Sequence, residues 1–153
     1  MYIKAALHQL EIAVASASKM FACMAEPMLA ERPFAGKRSI GELASHLSIL
    51  MKADLLIMNG SSKEEMDRFY EVNAEETLEG MEKALSEGFG KLKDVYLSFS
   101  ENELAEPMDS YWGVSYTRYE WLLEVIAHFY HHRAQLHLML AAIDVKMDTP
   151  LFE

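Results

Sequence analysis

Two histidines in the last predicted helix have the spacing of metal ligands on one helix face. His128 and His132 are four residues apart, so on an α-helix they project from the same side, one turn apart. Neighbouring positions on that face are apolar, for example Val125 and Leu136, and both imidazoles are therefore expected to point into the protein. His46 occupies an equivalent inward position on an earlier predicted helix.

Three imidazoles from two neighbouring helices can converge on one cation. Neutral imidazole is a good ligand for Zn, Ni, Cu or Fe, and three such ligands leave a position for water or substrate. A metal held in this way lowers the pKa of a bound water towards ~7, or holds a thiol as its thiolate. The sequence therefore predicts an open divalent metal site (Zn, Ni or Fe) on His46, His128 and His132.

The alternative explanation for these histidines is packing. A single inward histidine is more often a hydrogen-bonded core residue than a ligand, and an HxxxH pair alone is a weak signal. Three of them on apolar helix faces are harder to explain, because burying imidazoles without partners costs free energy. The metal site is the better interpretation, and a metal-free bundle with core histidines remains the alternative.

Other polar residues near these positions have less definite roles. Glu124 lies one turn before His128, and three roles stay open for it: a fourth ligand, an acid or base, or an exposed charge. The remaining histidines, His8, His131 and His137, are predicted to lie at the surface or in an interface.

Two further groups flank the predicted ligands. If Arg133 and Gln135 serve the site, they are expected to hydrogen-bond to the metal ligands or to cap the helix. Tyr111, Trp112 and Tyr116 lie just before the last helix. They could form the wall of a pocket or simply cover an end of the core.

Four long amphipathic segments are expected to position these residues. Apolar residues recur three and four apart over residues 2–26, 39–58, 74–99 and 117–143, which is the period of a helix with one buried face. Ser39 with Glu42, and Thr117 with Glu120, have the spacing of capping boxes at helix starts. Residues 61–69 are predicted to form a helical turn or two, and residues 100–116 a loop. We predict an all-α protein, an antiparallel four-helix bundle of up-down connectivity, forming one domain over residues 1–153.

Composition argues against several classes of partner. The formal charge is −10, from 14 Lys and Arg against 24 Asp and Glu, which disfavours nucleic acids and anionic membranes. No stretch of about 18 uninterrupted apolar residues occurs, so no transmembrane helix is predicted. His8 and Glu11 interrupt the N-terminal apolar run, unlike a signal peptide, and we expect a cytoplasmic protein. Cys23 is the only cysteine, which excludes an intrachain disulfide, and it is predicted to be buried and unreactive.

Two stretches of the chain resemble a known family. Residues 36–47, GKRSIGELASHL, are similar to the start of the second helix in the DinB-like, YfiT-like metalloprotein superfamily, and residues 128–136, HFYHHRAQL, to its HxxxHRxQ signature. Residues 117–122, TRYEWL, are similar to the usual start of that helix. The resemblance implies a four-helix bundle whose metal is held by three histidines, matched here at His46, His128 and His132. The chain departs from the pattern at Ala134, where Gly is frequent.

The resemblance also implies classes of activity. Members often form homodimers, and they include S-transferases that use bacillithiol or mycothiol and a mycothiol-dependent maleylpyruvate isomerase. We therefore expect a metal-dependent thiol S-transferase or hydrolase that acts on a small molecule, with a low-molecular-weight thiol as a candidate partner and a homodimer as the assembly. The alternatives are a non-catalytic metal- or ligand-binding stress-response bundle, and a metal-free bundle that acts by dimerisation.

Overall fold

Helices make up most of the molecule in the computed structural model, which describes residues 2–148 and 150–152. In chain order the elements are α1 (Tyr2–Ala22), α2 (Ile40–Met58), α3 (Lys63–Asn73), α4 (Leu78–Ser98), α5 (Glu101–Leu104), β1 (Pro107–Asp109), β2 (Ser115–Thr117) and α6 (Arg118–Ala142). A short 3₁₀ helix, Glu26–Ala30, lies between α1 and α2. The four long helices, α1, α2, α4 and α6, form the bundle, which confirms the predicted all-α architecture.

Side-chain caps determine where the two histidine-bearing helices begin. The Ser39 hydroxyl accepts the Glu42 amide, and the Glu42 carboxylate accepts the Ser39 amide at 2.7 Å. Thr117 and Glu120 form the same reciprocal pair at the start of α6. Each capping box satisfies backbone amides that have no partner within the helix, and loss of such a cap typically costs about 1 kcal/mol. Both predicted helix starts are confirmed.

Neighbouring helices run antiparallel in two of the four helix contacts. α1 packs against α4 in opposed directions, because Ser18 donates to Glu82 while Glu11 pairs with Lys93. The N-terminal half of α2 likewise faces the C-terminal half of α6. These two contacts agree with the predicted antiparallel packing.

The other two contacts are parallel, which differs from simple up-down connectivity. Lys52 pairs with Glu87, and further along both helices Tyr96 donates to the sulfur of Met58, so α2 and α4 run in the same direction. It follows that α1 and α6 are also parallel. Apolar periodicity identifies which face of a helix is buried but not which helix covers it, so the sequence could not predict this order.

The parallel α2–α4 contact explains why the connection between them contains a helix. The chain must return along the length of the bundle before α4 begins. Helix α3, capped by Ser62 and Glu65, spans about 16 Å of that return at 1.5 Å per residue. It is longer than the turn or two predicted for residues 61–69.

The segment predicted as a loop before α6 is partly regular. It contains α5 and an antiparallel hairpin in which Pro107 pairs with Thr117 and Asp109 with Ser115. Gly113, with φ +87°, provides the left-handed conformation that the turn requires. The Trp121 indole donates to the Met108 carbonyl at 3.0 Å and fixes the hairpin against α6. The prediction of a loop without strands was therefore wrong, because three-residue strands are too short to show a period of two.

An apolar core fills the space between the four long helices. Its largest fully buried side chains are Trp121, Tyr96 and Phe129. The three histidines predicted as ligands lie beside this core, half-buried, where α2 meets α6. Among the described residues, no helix has the length and apolar character required to cross a bilayer.

Candidate metal centre

The structure brings His46, His128 and His132 together. Each offers a ring nitrogen, and these nitrogens all lie within 4.8 Å of one another. The ring of His46 lies 4.7 Å from that of His132 and 5.8 Å from that of His128, between centroids. His46 comes from α2 and the other two from α6, so the cluster depends on the register between two antiparallel helices.

Asp54 fixes the orientation of the His128 ring. This aspartate lies two turns after His46 on α2 and is only 4% exposed. Its Oδ2 atom is 3.0 Å from Nδ1 of His128. Burial raises the pKa of Asp54, and the hydrogen bond and charge of His128 oppose that rise. When Asp54 is ionised it can only accept, so Nδ1 carries the hydrogen and the Nε2 lone pair faces the cluster.

Gln135 fixes the orientation of His132 in the same way. Its amide nitrogen lies 3.0 Å from Nε2 of His131, and its Oε1 lies 2.8 Å from Nδ1 of His132. An amide oxygen only accepts, so Nδ1 of His132 carries the hydrogen. The Nε2 atom of His132 is then also free to act as a ligand.

The two Nε2 atoms of His128 and His132 lie 3.1 Å apart. With both hydrogens on Nδ1, two lone pairs face each other, an arrangement that is repulsive unless a cation or a proton lies between them. Ligands of one tetrahedral zinc ion, with bonds of about 2.0–2.1 Å, are about 3.3 Å apart. The separation and the all-imidazole donor set therefore fit a shared divalent metal such as Zn, Ni or Fe.

Burial and neighbouring charges adjust the protonation of the three ligands. Burial, followed by the charge of Arg38, lowers the pKa of His46 to about 3. Burial also lowers the pKa of His132. For His128, burial favours the neutral ring, but the hydrogen bond and charge of Asp54 outweigh it and raise the pKa. His46 and His132 are thus kept neutral, and His128 is the ligand for which a proton competes most strongly.

Comparison with known proteins identifies the family. A profile of the DinB family matches residues 13–143, which is most of the chain. The chain belongs to the DinB family.

Two solved structures show the same fold. A protein from Exiguobacterium sibiricum 255-15, described as a candidate member of the DinB family, is 30% identical, with a TM-score of 0.88 over 99% of this chain and 97% of that one. A DinB-like protein from Bacillus cereus ATCC 10987 is 16% identical, with a TM-score of 0.74 over 98% and 99% of the two chains. Among curated proteins, no match was found.

Glu124 lies beside the histidine cluster of this DinB protein but outside it. It is half-buried, and its carboxylate joins Asp54 and His128 in a second group of potential ligand atoms within 4.8 Å of one another. Burial, together with the charge of Asp54, raises the pKa of Glu124. Of the three roles left open by the sequence, a fully exposed charge is therefore ruled out.

The remaining candidates have different surroundings. His8 and His131 are exposed and His137 is half-buried. Arg133 points away from the cluster, to Ser16 of α1. Cys23 is exposed, so the prediction that it is buried was wrong, because Phe21 and Met24 take the buried positions around it.

The tyrosine ring that lies against the cluster belongs to α3, where the sequence indicated no functional residue. Trp112 and Tyr116 contact Trp121 edge-on, which is the covering role considered for them. Tyr70 of α3 instead lies against His46, with ring centroids 6.0 Å apart. Burial, followed by the charge of Asp54, raises the pKa of Tyr70 to about 12, so its hydroxyl keeps its proton.

A cleft of about 480 Å³ opens beside His132. This volume lies within the range of about 300–1,000 Å³ typical of small-molecule sites. Its lining comes from the segment before α2 and from α2 and α6: Phe34, Ala35, Lys37, Arg38, Leu43, His132, Gln135, Leu138 and Met139. We call it the Arg38 cleft.

Proposed function

We propose that this DinB protein binds a divalent metal on His46, His128 and His132 and acts as a metal-dependent enzyme on a small molecule. The observation that supports this most strongly is the 3.1 Å separation of two Nε2 atoms, both oriented as acceptors by hydrogen bonds on the far side of each ring. The thiol S-transferase and hydrolase classes are the activities that we propose for it.

The chain's own residues would hold the metal and adjust its ligands. The three imidazoles are the ligands, while Asp54 and Gln135 fix the tautomers of His128 and His132. Such supporting hydrogen bonds also increase the basicity of the ligand nitrogen, and their loss typically lowers metal affinity 10- to about 100-fold. When bound, the metal would supply Lewis acidity towards a thiol or a water molecule.

Other side chains are placed to handle protons and substrate. Glu124 is half-buried beside His128, and burial raises its pKa, which favours uptake of a proton by this carboxylate. Tyr70 keeps its proton and lies beside His46, with ring centroids 6.0 Å apart. The Arg38 cleft gives a small molecule access to the His132 edge of the cluster.

A non-catalytic metal-binding protein is the second candidate. It is favoured by the way the cluster joins α2 to α6, because a metal at that contact would stabilise the fold according to its concentration. The presence of a substrate-sized cleft beside His132 favours the enzyme. We also propose a homodimer, which light scattering on the purified protein would test.

Turnover with and without metal tests the proposal. Untagged wild type is loaded with Zn, Ni or Fe and assayed for thiol transfer to an electrophile and for ester hydrolysis, beside His132→Ala and the control His8→Ala. We expect turnover in wild type and the control, and none in His132→Ala or after chelation. Turnover that persists in chelated protein would contradict metal-dependent catalysis, and metal binding without turnover would favour the second candidate.

A further inference from the structure

Arg38 is a cation beside the histidine cluster. Within the described parts of the chain, Arg32 and Arg118 are paired with glutamates, but no such partner lies within 4.0 Å of Arg38. Besides burial, its charge disfavours protonation of His46 and His132, which lowers the pKa of both. Arg38 and His132 line the same cleft, which places the guanidinium beside the candidate metal centre.

A cation at this position works against the proposed metal. Like charges repel, so a guanidinium near a divalent ion weakens its binding. A negative group bound between Arg38 and the metal would offset this repulsion and would itself be attracted by both cations.

The Arg38 cleft has the composition of a site for an apolar molecule with one anionic end. Lys37 and Arg38 are adjacent, and the described residues that line the cleft include no Asp or Glu. The rest of the lining is largely apolar, with Phe34, Leu138 and Met139 as its bulky members. A guanidinium binds a carboxylate through two parallel hydrogen bonds.

We propose that the Arg38 cleft binds a small organic carboxylate with an apolar body, its carboxylate on Arg38 and Lys37 and its apolar part against Phe34, Leu138 and Met139. This assignment rests on the proposed function, because it takes the cleft beside His132 as the substrate site. It narrows the substrate class to amphipathic carboxylates, and it assigns Arg38 to recognition of the substrate.

A charged probe and its neutral analogue test the proposal. Binding of 4-phenylbutyrate and 4-phenylbutyramide to Zn-loaded protein is measured by calorimetry, in wild type, Arg38→Gln, Arg38→Lys and the control Lys91→Gln. Lys91 is exposed on α4 and does not line the cleft, so its substitution removes one positive charge elsewhere. We expect the carboxylate to bind wild type about tenfold more tightly than the amide, the typical value of a hydrogen bond to a charged group.

The variants separate Arg38 from the metal as the source of this preference. Arg38→Gln should reduce the preference to near unity, Arg38→Lys should retain part of it, and Lys91→Gln should leave it unchanged. Equal binding of the two probes, no binding of either in the millimolar range, or a preference that survives in Arg38→Gln would overturn the proposal. Metal content is measured on the same samples, so a failure of the metal site is recognised separately from a failure of carboxylate selectivity.

Discussion

The Oδ2 atom of Asp54 lies 3.0 Å from Nδ1 of His128, on the opposite side of the imidazole ring from the Nε2 atom that faces His132. One buried carboxylate on α2 thus determines how a ligand on α6 presents its lone pair. Helix α2 therefore contributes to the candidate metal centre in two ways. It supplies His46 as a ligand, and it supplies Asp54 as the hydrogen-bond partner of His128.

Replacing this aspartate tests its role in orienting His128. Asp54→Asn keeps an acceptor oxygen but removes the charge, so we expect metal affinity to fall about 10- to 100-fold, as for other supporting groups of metal-bound histidines. Affinity is measured by competition with a chromogenic chelator. The control is Asp67→Asn, an exposed aspartate on α3. Unchanged affinity in Asp54→Asn would show that the carboxylate does not influence the metal.

Acidification of the metal-free protein tests the environment of His46. Its pKa is lowered to about 3 by burial and then by Arg38, while the unfolded chain titrates near about 6.5. Below about pH 6.5, His46 binds more protons in the unfolded state than in the folded state. Its contribution to the free energy of unfolding is therefore lost as the pH falls towards 3. His128 has a raised pKa and acts in the opposite sense, since its contribution is present at low pH and is lost as the pH rises through the raised value.

We therefore expect the free energy of unfolding of chelated protein to change between pH 7 and pH 4 with a larger loss in wild type than in His46→Gln. Urea denaturation at each pH measures it, with His8→Gln as the exposed control. Equal slopes in wild type and His46→Gln would contradict the assigned environment.

Arg133 stabilises the fold through contacts away from the metal centre. Its buried guanidinium donates to Ser16 at 2.8 Å and to the carbonyl of Leu151, and it lies over the rings of Tyr130 and Phe152. Truncation leaves these groups without their partner, so we expect Arg133→Ala to lower the free energy of unfolding by about 1–3 kcal/mol.

Metal stoichiometry should be unchanged in Arg133→Ala, although His132 is its neighbour in sequence. The matched control is Arg68→Ala, an exposed arginine on α3, which should change stability by less than about 0.5 kcal/mol. Similar stability in the two variants would refute the structural role of Arg133.

Two helical glycines differ in the space around them and should respond to alanine in opposite directions. A Cβ at Gly41, in the first turn of α2, would lie 2.8 Å from the Leu29 carbonyl oxygen, whereas one at Gly90 would meet nothing within 4 Å. We expect Gly41→Ala to destabilise the fold by about 1–3 kcal/mol. Gly90→Ala should stabilise it by about 0.5–1 kcal/mol, the difference in helix propensity. Thermal unfolding measures both, and a stabilising Gly41→Ala would contradict the close packing of α2 against Leu29.

The sequence predicted the three histidines because the spacing of His128 and His132, and the apolar neighbours of all three, are local properties. It did not predict Asp54 as a partner, because that contact depends on the register between α2 and α6. A local signal was nevertheless present: Asp54 is a lone acid in an apolar run, eight residues after His46 on the same helix face. Arg38 was missed because its position depends on the irregular segment before α2, which has no period.

The order of the helices, the hairpin and the exposure of Cys23 also could not be predicted from the sequence. Helix faces were predicted from periodicity, but the parallel contact of α2 with α4 depends on how four similar faces share one core. The hairpin at residues 107–117 was missed because its strands are three residues long. Cys23 is exposed because Phe21 and Met24 take the buried positions on either side of it.

Metal content of the untagged protein tests the central claim most directly. Wild type, His132→Ala and the control His137→Ala are incubated with Zn or Ni, freed of loose ions and analysed by elemental mass spectrometry. We expect about one ion per chain in wild type and in the control, and a large loss in His132→Ala, since removing one of three ligands strongly weakens such a site. No metal in wild type after incubation, or equal metal in His132→Ala, would contradict the assignment of His46, His128 and His132 as a metal site.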